Sequence, residues 1–277
     1  MTDRPILKII NETNGEFGTA LRGLQSWEHY TLLLNALEAL DRDALYDSRV
    51  HGVGHIERTI LHGGMCCMDA GADASLTALV LDACSYHDVG RRNDSVDPEH
   101  GYRSSLRLEA LTDRHGDALN ILKASVTAHS RDDGEMHAIL DSYPIENRRA
   151  GLAVSELLKD ADGLDRIRIN DLDPRFLRRE ESRRRVAFSK WVFQRYQECC
   201  GLEPVPMYPT SVMAMIRSAG FEPTFEELWD MTAFRALAAK AYNALCARGE
   251  TPELAVGFLR FSGWDNTNNP PESSFFS

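Results

Sequence analysis

Apolar residues recur at spacings of three and four along most of the chain. From Trp27 to Leu45, the residues Tyr30, Leu33, Leu34, Leu37 and Leu40 fall on one face of an amphipathic helix. Similar stripes cover 53–70, 74–88, 104–112, 116–129, 149–166, 183–197, 210–219 and 225–248. No run alternates with period two over a strand's length, and no internal repeat is present. The punctuation suits helices. Gly71 closes one, Asp73 caps the next, Gly90 ends it, and Thr224-Phe225-Glu226-Glu227 reads as an N-terminal cap. The pattern predicts an all-α helical bundle with additional C-terminal helices. Its expected divisions are an N-terminal segment over 1–25, a helical domain over 26–197, a helical extension over 198–265 packed on the core, and a loose tail over 266–277. The proline-bearing stretch 198–223 reads as a lid or connector.

Several stripes end in polar residues on the inward side. Leu76, Leu79, Val80, Ala83 and Cys84 lead to His87, which Asp88 follows. Ile121, Leu122, Ser125 and Val126 lead to His129, and Val154, Leu158 and Ala161 lead to Asp162 and Asp165. His51 and His55 stand four apart and share a face if the helix has begun. A lone buried histidine is ordinarily a hydrogen-bonded core residue, and a lone helical carboxylate is ordinarily solvated. Ionisable groups at the buried ends of several helices are costly unless paired, and a divalent metal pairs them.

Composition narrows the setting. The chain has 277 residues, 43% hydrophobic, with 31 Lys and Arg against 42 Asp and Glu, for a net charge of −11. This balance argues against bulk nucleic-acid binding. The opening MTDRPILKIINETNG lacks a basic head and apolar run, and no stretch reaches the roughly 20 apolar residues of a membrane span. A cytoplasmic protein without membrane association is expected, with homo-oligomerisation left open. The six cysteines show no CxxC spacing and read as reduced, mostly buried thiols. Of nine histidines, His51, His55, His62, His87, His100, His115 and His129 crowd into 51–129, so chemistry is sought there.

The ordered set His55, His87-Asp88 and Asp162, in the contexts HGVGHIERT, YHDVGR and KDADGLDR, resembles the HD-domain superfamily of metal-dependent phosphohydrolases over about residues 30–170. The resemblance implies an HD-domain-like bundle in which His55, His87, Asp88 and Asp162 hold a divalent metal such as Mn2+, Fe2+ or Mg2+. Asp162 matches the family's small-residue-then-Asp position, with Asp160 as its rival. Asp88 would bridge to a second ion completed by His100 and His129. His51 matches the leaving-group acid of cyclic-nucleotide phosphodiesterase members, although Gly52 replaces their Asn. Arg91 and Arg58 are candidate phosphate ligands, since guanidinium donates two parallel hydrogen bonds.

The implied activity is hydrolysis of a small-molecule phosphoester, a nucleotide or relative, by metal-activated water. His51 or His129 would protonate the leaving group, with Asp88 at the reacting centre. Two other readings are an HD-fold mixed-valent di-iron oxygenase, which His100 and His129 keep open, and a non-catalytic nucleotide-binding module. RFLRREESRRR over 175–185 reads as a solvated helix face, Asp165 and Arg166 as a structural ion pair at the cavity floor, and His62 and His115 as structural.

Overall fold

The longest apolar stripes become the longest helices in the computed structural model, which describes residues 4–94, 96–202, 210–224, 227–228 and 230–250. The helices are α1 (Pro5–Ile10), α2 (Gly18–Gln25), α3 (Tyr30–Ala39), α4 (Val53–Asp69), α5 (Ala74–Tyr86), α6 (His100–Ser105), α7 (Leu108–Leu111), α8 (Gly116–His129), α9 (Met136–Asp141), α10 (Arg148–Asp165), α11 (Glu180–Arg183), α12 (Val186–Cys199), α13 (Thr210–Ser218) and α14 (Met231–Ala247). Short 3-10 turns interleave them, and the described residues contain no strand. The fold is all-α.

Two compact units divide the chain. The first comprises Met1–Asp165 and Pro174–Leu202, the second Arg166–Asp173 and Glu203–Ser277. In the first, α4 and α10 form the centre: α4 packs on α3, α5 and α10, and α10 also packs on α5 and α8. α4 is buried on nearly every side, with Ile56, Ile60, Leu61, Met65, Cys66 and Cys67 all inaccessible. α1 packs on α4 and α12 and buries Ile6, Ile9 and Ile10. In the second unit, Val212, Met213 and Ile216 of α13 meet Phe234, Leu237, Ala238 and Ala241 of α14. The tail 266–277, with Phe275 and Phe276, lies outside the described residues, as do Pro204, Pro206 and Pro209.

Side-chain caps set a few of the boundaries. Asp73 accepts from Leu76 N (2.8 Å) to start α5, and Gly71, at φ +62°, closes α4 in the left-handed conformation that suits glycine. Thr224 and Glu227 form the reciprocal capping box, Glu227 N donating to Thr224 Oγ1 (3.2 Å) and Thr224 N to Glu227 Oε2 (2.8 Å). A further cap at Asp230 starts α14, and Glu227 and Leu228 before it are also helical.

Three stripes are shorter or more broken than the sequence predicts, that over 183–197 because α11 ends at Arg183 and α12 begins at Val186. The helix expected over 27–45 covers only 30–39, because Leu40 is extended (ψ 116°) and the Asp41 carboxylate caps a 3-10 turn at Arg42–Ala44. The stripe 104–112 splits into α6 and α7. The Ser104 hydroxyl accepts from Gly90 N (2.8 Å) and the Ser105 hydroxyl donates to Tyr102 O (2.7 Å), drawing this turn towards other partners.

Candidate metal centre

Three helices deliver their C-terminal ends to one place in the first unit. His87 directly follows α5, His129 is the last residue of α8, and Asp162 lies in the last turn of α10. The partial negative charge of helix C-termini favours a cation there. α4 enters with its first turn, which carries His55. His100 opens α6, which lies against α8. That approach needs Gly101, where an added Cβ would sit 2.5 Å from Val126 O and 3.0 Å from His129 Nδ1.

The side chains meet in two groups joined by Asp88. In the first, His55 Nε2 lies 3.1 Å from His87 Nε2 and 3.4 Å from Asp162 Oδ1, while Asp88 Oδ2 is 3.5 Å from His55 Nε2 and 3.8 Å from His87 Nε2. In the second, His100 Nε2 lies 2.8 Å from His129 Nε2, and Asp88 Oδ1 is 3.0 Å from His100 Nε2 and 3.7 Å from His129 Nε2. His55 and His87 are fully buried and Asp88 nearly so, whereas the Asp162 side chain is 21% exposed and marks the open side.

The chemistry of this donor set fits a metal ion. His87 Nδ1 donates to Cys84 O (3.0 Å), His129 Nδ1 to Val126 O (2.5 Å), His100 Nδ1 to Asp97 O, and His55 Nδ1 to Asp165 Oδ2 (2.8 Å). Each Nδ1 faces an acceptor oxygen and therefore carries the hydrogen, which leaves the lone pair on Nε2. Four such lone pairs and two carboxylates thus face one another, and the close Nε2 pairs have no hydrogen between them. An extra proton on His129 is opposed, because burial pushes its pKa down to about 4 against the pull of Asp88. Burial also opposes the Asp88 charge, but the neighbouring cationic and hydrogen-bonding groups, Arg91 among them, outweigh it and hold the carboxyl well below its usual range. Asp88 Oδ1 accepts no well-formed hydrogen bond. Three triplets, His51–His55–Asp88, His55–His87–Asp162 and His87–Asp88–His129, each bring ligand atoms within 4.8 Å of one another. The buried cluster could therefore hold a metal ion.

Asp160, the rival of Asp162, is directed elsewhere. It is fully buried and accepts from Arg178 N (2.8 Å) and Arg179 N (3.0 Å), anchoring the start of α11. His51 joins the cluster through Nδ1, 2.9 Å from Asp88 Oδ2, and Arg91 Nε lies 3.0 Å from Asp88 Oδ1.

Arg58 does not face the cluster's open side. Its guanidinium is buried against Asp165, Nε to Oδ1 at 2.6 Å and NH2 to Oδ2 at 2.9 Å, and it lies over the rings of Phe193 and Tyr196. The expected Asp165–Arg166 pair is corrected accordingly: Asp165 serves Arg58 and His55, while Arg166 pairs with Asp171. A fully buried carboxylate is stabilised better by a buried guanidinium than by an arginine facing solvent. The spacing of His55 and Arg58, one helical turn apart, is the sequence signal for a shared acceptor.

Lys159 escaped the sequence reading. Its Nζ is buried and donates to Ala128 O (3.1 Å) and Arg131 O (2.6 Å), and it pairs with Asp133 (2.9 Å), so it secures the end of α8 that bears His129. Its position one turn before Asp162 was the available clue.

The remaining candidates stand outside the cluster. The arginine run over 175–185 is ion-paired, with Arg178 on Asp133 and Asp160, Arg179 on Glu156 and Glu181, and Arg185 on Asp69. His62 is a core residue, and His115 is exposed at the start of α8, the end remote from the cluster. Cys66, Cys67 and Cys84 are buried, with burial pushing the Cys66 thiol up to about 12, but Cys199 is only partly buried and Cys200 and Cys246 are exposed. Among the described residues no helix is long and apolar enough to cross a membrane. No family model, curated protein or solved structure matches the chain.

Proposed function

We propose that the chain is a metal-dependent phosphohydrolase or phosphodiesterase of the HD type, acting on a nucleotide or related small phosphoester. The carrying observation is the convergence of His55, His87, Asp88 and Asp162, the residues in the family's order, with the Nε2 atoms of both histidines close to Asp88 Oδ2 and Asp162 Oδ1. Asp88 presents one oxygen to each histidine group, an arrangement suited to two ions, with His100 and His129 completing the second.

A divalent ion held by His55, His87, Asp88 and Asp162 would supply Lewis acidity to a phosphoryl oxygen and would lower the pKa of water towards neutrality, making a nucleophile available. The chain's own residues do the rest. Arg91, beside Asp88 and 11% exposed, is placed to donate to phosphate oxygens. His51, in contact with Asp88, is the residue to hand a proton to the departing oxygen. His129, a neutral ring at pH 7, suits a ligand better than an acid. Arg58, engaged by Asp165, is set aside as a phosphate ligand.

The test is a hydrolysis screen of nucleotide mono-, di- and cyclic esters with Mn2+, Fe2+ and Mg2+. Metal-dependent phosphate release that disappears in Asp88→Ala is expected, and full activity in that variant defeats the proposal. The approach of His100 and His129 to Asp88 also favours the di-iron oxygenase as a second reading. Two irons per anaerobically purified chain, with O2 uptake and no ester hydrolysis, would select it.

A further inference from the structure

We infer that Asp165 is a positioning residue for the candidate metal centre, fixing the ring of His55 so that its Nε2 lone pair faces His87, Asp88 and Asp162. The inference rests on the metal reading above and deepens it by assigning a residue outside the ligand set.

The ring contacts set His55 apart from its neighbours. His87, His100 and His129 each turn Nδ1 to a backbone carbonyl three residues earlier, at Cys84, Asp97 and Val126. The corresponding carbonyl for His55 belongs to Gly52 and already accepts from Ile56 N (3.2 Å). Its acceptor comes instead from another helix, Asp165 Oδ2 at 2.8 Å. Thr59 Oγ1 stands farther away, at 3.3 Å.

The carboxylate imposes a direction that an amide would not. An ionised carboxylate only accepts, so Nδ1 must carry the hydrogen and Nε2 the lone pair. Arg58 keeps Asp165 in that state through its two bonds, and the rings of Phe193 and Tyr196, with centroids 5.1 and 4.9 Å from the guanidinium carbon, hold Arg58 in place. Asp165 is itself fully buried, so water does not compete for the contact. Asparagine fits the same space but can present its NH2 to Nδ1, which moves the ring hydrogen to Nε2 and turns a donor towards the cluster.

The experiment uses the full chain and two readouts. In the metal-free protein, 15N NMR of assigned histidine rings is expected to show His55 as the Nδ1–H tautomer; the Nε2–H tautomer overturns the inference without reference to metal. Equilibrium dialysis with Mn2+ or Zn2+ then compares wild type with Asp165→Asn and with the double variant Arg58→Met/Asp165→Asn, which leaves no unpaired guanidinium in the core. Affinity is expected to fall roughly 10- to 100-fold in both. Wild-type affinity in either variant at wild-type helical content overturns it. Absence of metal binding by the wild type defeats the metal reading instead, a different result. If neither variant folds, the tautomer decides alone.

Discussion

His62 lies two turns beyond His55 on α4, in the same buried surroundings, yet neither ring nitrogen has a hydrogen-bond partner among the described residues. Its ring meets Phe188 edge-on, 6.2 Å between centroids. Burial pushes its pKa from 6.5 down to about 4. Below pH 6.5 the unfolded chain therefore binds a proton that the folded chain refuses, and stability falls until the pH nears 4, by on the order of 3 kcal/mol in total. His62→Leu is expected to flatten this dependence and to be neutral or stabilising at pH 7, measured by urea denaturation at pH 4.5 and 7. An unchanged pH dependence in the variant would sink this account. The contrast with His55 and His87 shows what was legible. Those two, with Asp88 and Asp162, belong to short local motifs in which neighbouring residue types carry the signal. The pairing of Arg58 with Asp165 was not legible, because the choice of partner spans 107 positions and depends on which charges share a buried space.

At the scale of elements, three helices ending at one point build the cluster, and α10 contributes two carboxylates with opposite tasks. Asp160 holds the backbone N–H groups of Arg178 and Arg179, whereas Asp162 faces His55 and His87. The two substitutions are expected to separate stability from metal binding. Asp160→Ala leaves half-buried backbone donors unpaired and is expected to cost about 1–3 kcal/mol while metal is retained. Asp162→Ala, at a partly exposed position, is expected to lose metal with little effect on the apo fold. Thermal unfolding and metal titration of both variants check the pair, and the reverse pattern would return Asp160 to the ligand set. The long helices were legible because their apolar faces repeat over many turns. The breaks at Leu40 and Ser105 were not, because they arise from side chains bonding backbone groups, which periodicity does not register.

For the whole molecule, a net charge of −11 looks unfavourable to a phosphoester substrate. The structure divides that charge. Asp133, Asp160 and Asp165 are neutralised by lysine and arginine partners, while Asp88 and Asp162 are gathered among histidines. A cation at that point makes the centre locally positive inside an acidic chain. The most direct test is the divalent-metal content of the full chain, purified anaerobically without chelator and exchanged into Mn2+, Fe2+ or Zn2+, beside Asp88→Ala. At least one tightly held ion per wild-type chain is expected, lost in Asp88→Ala while helical content persists. A wild-type chain that retains no ion, or a variant that holds as much, would contradict the account.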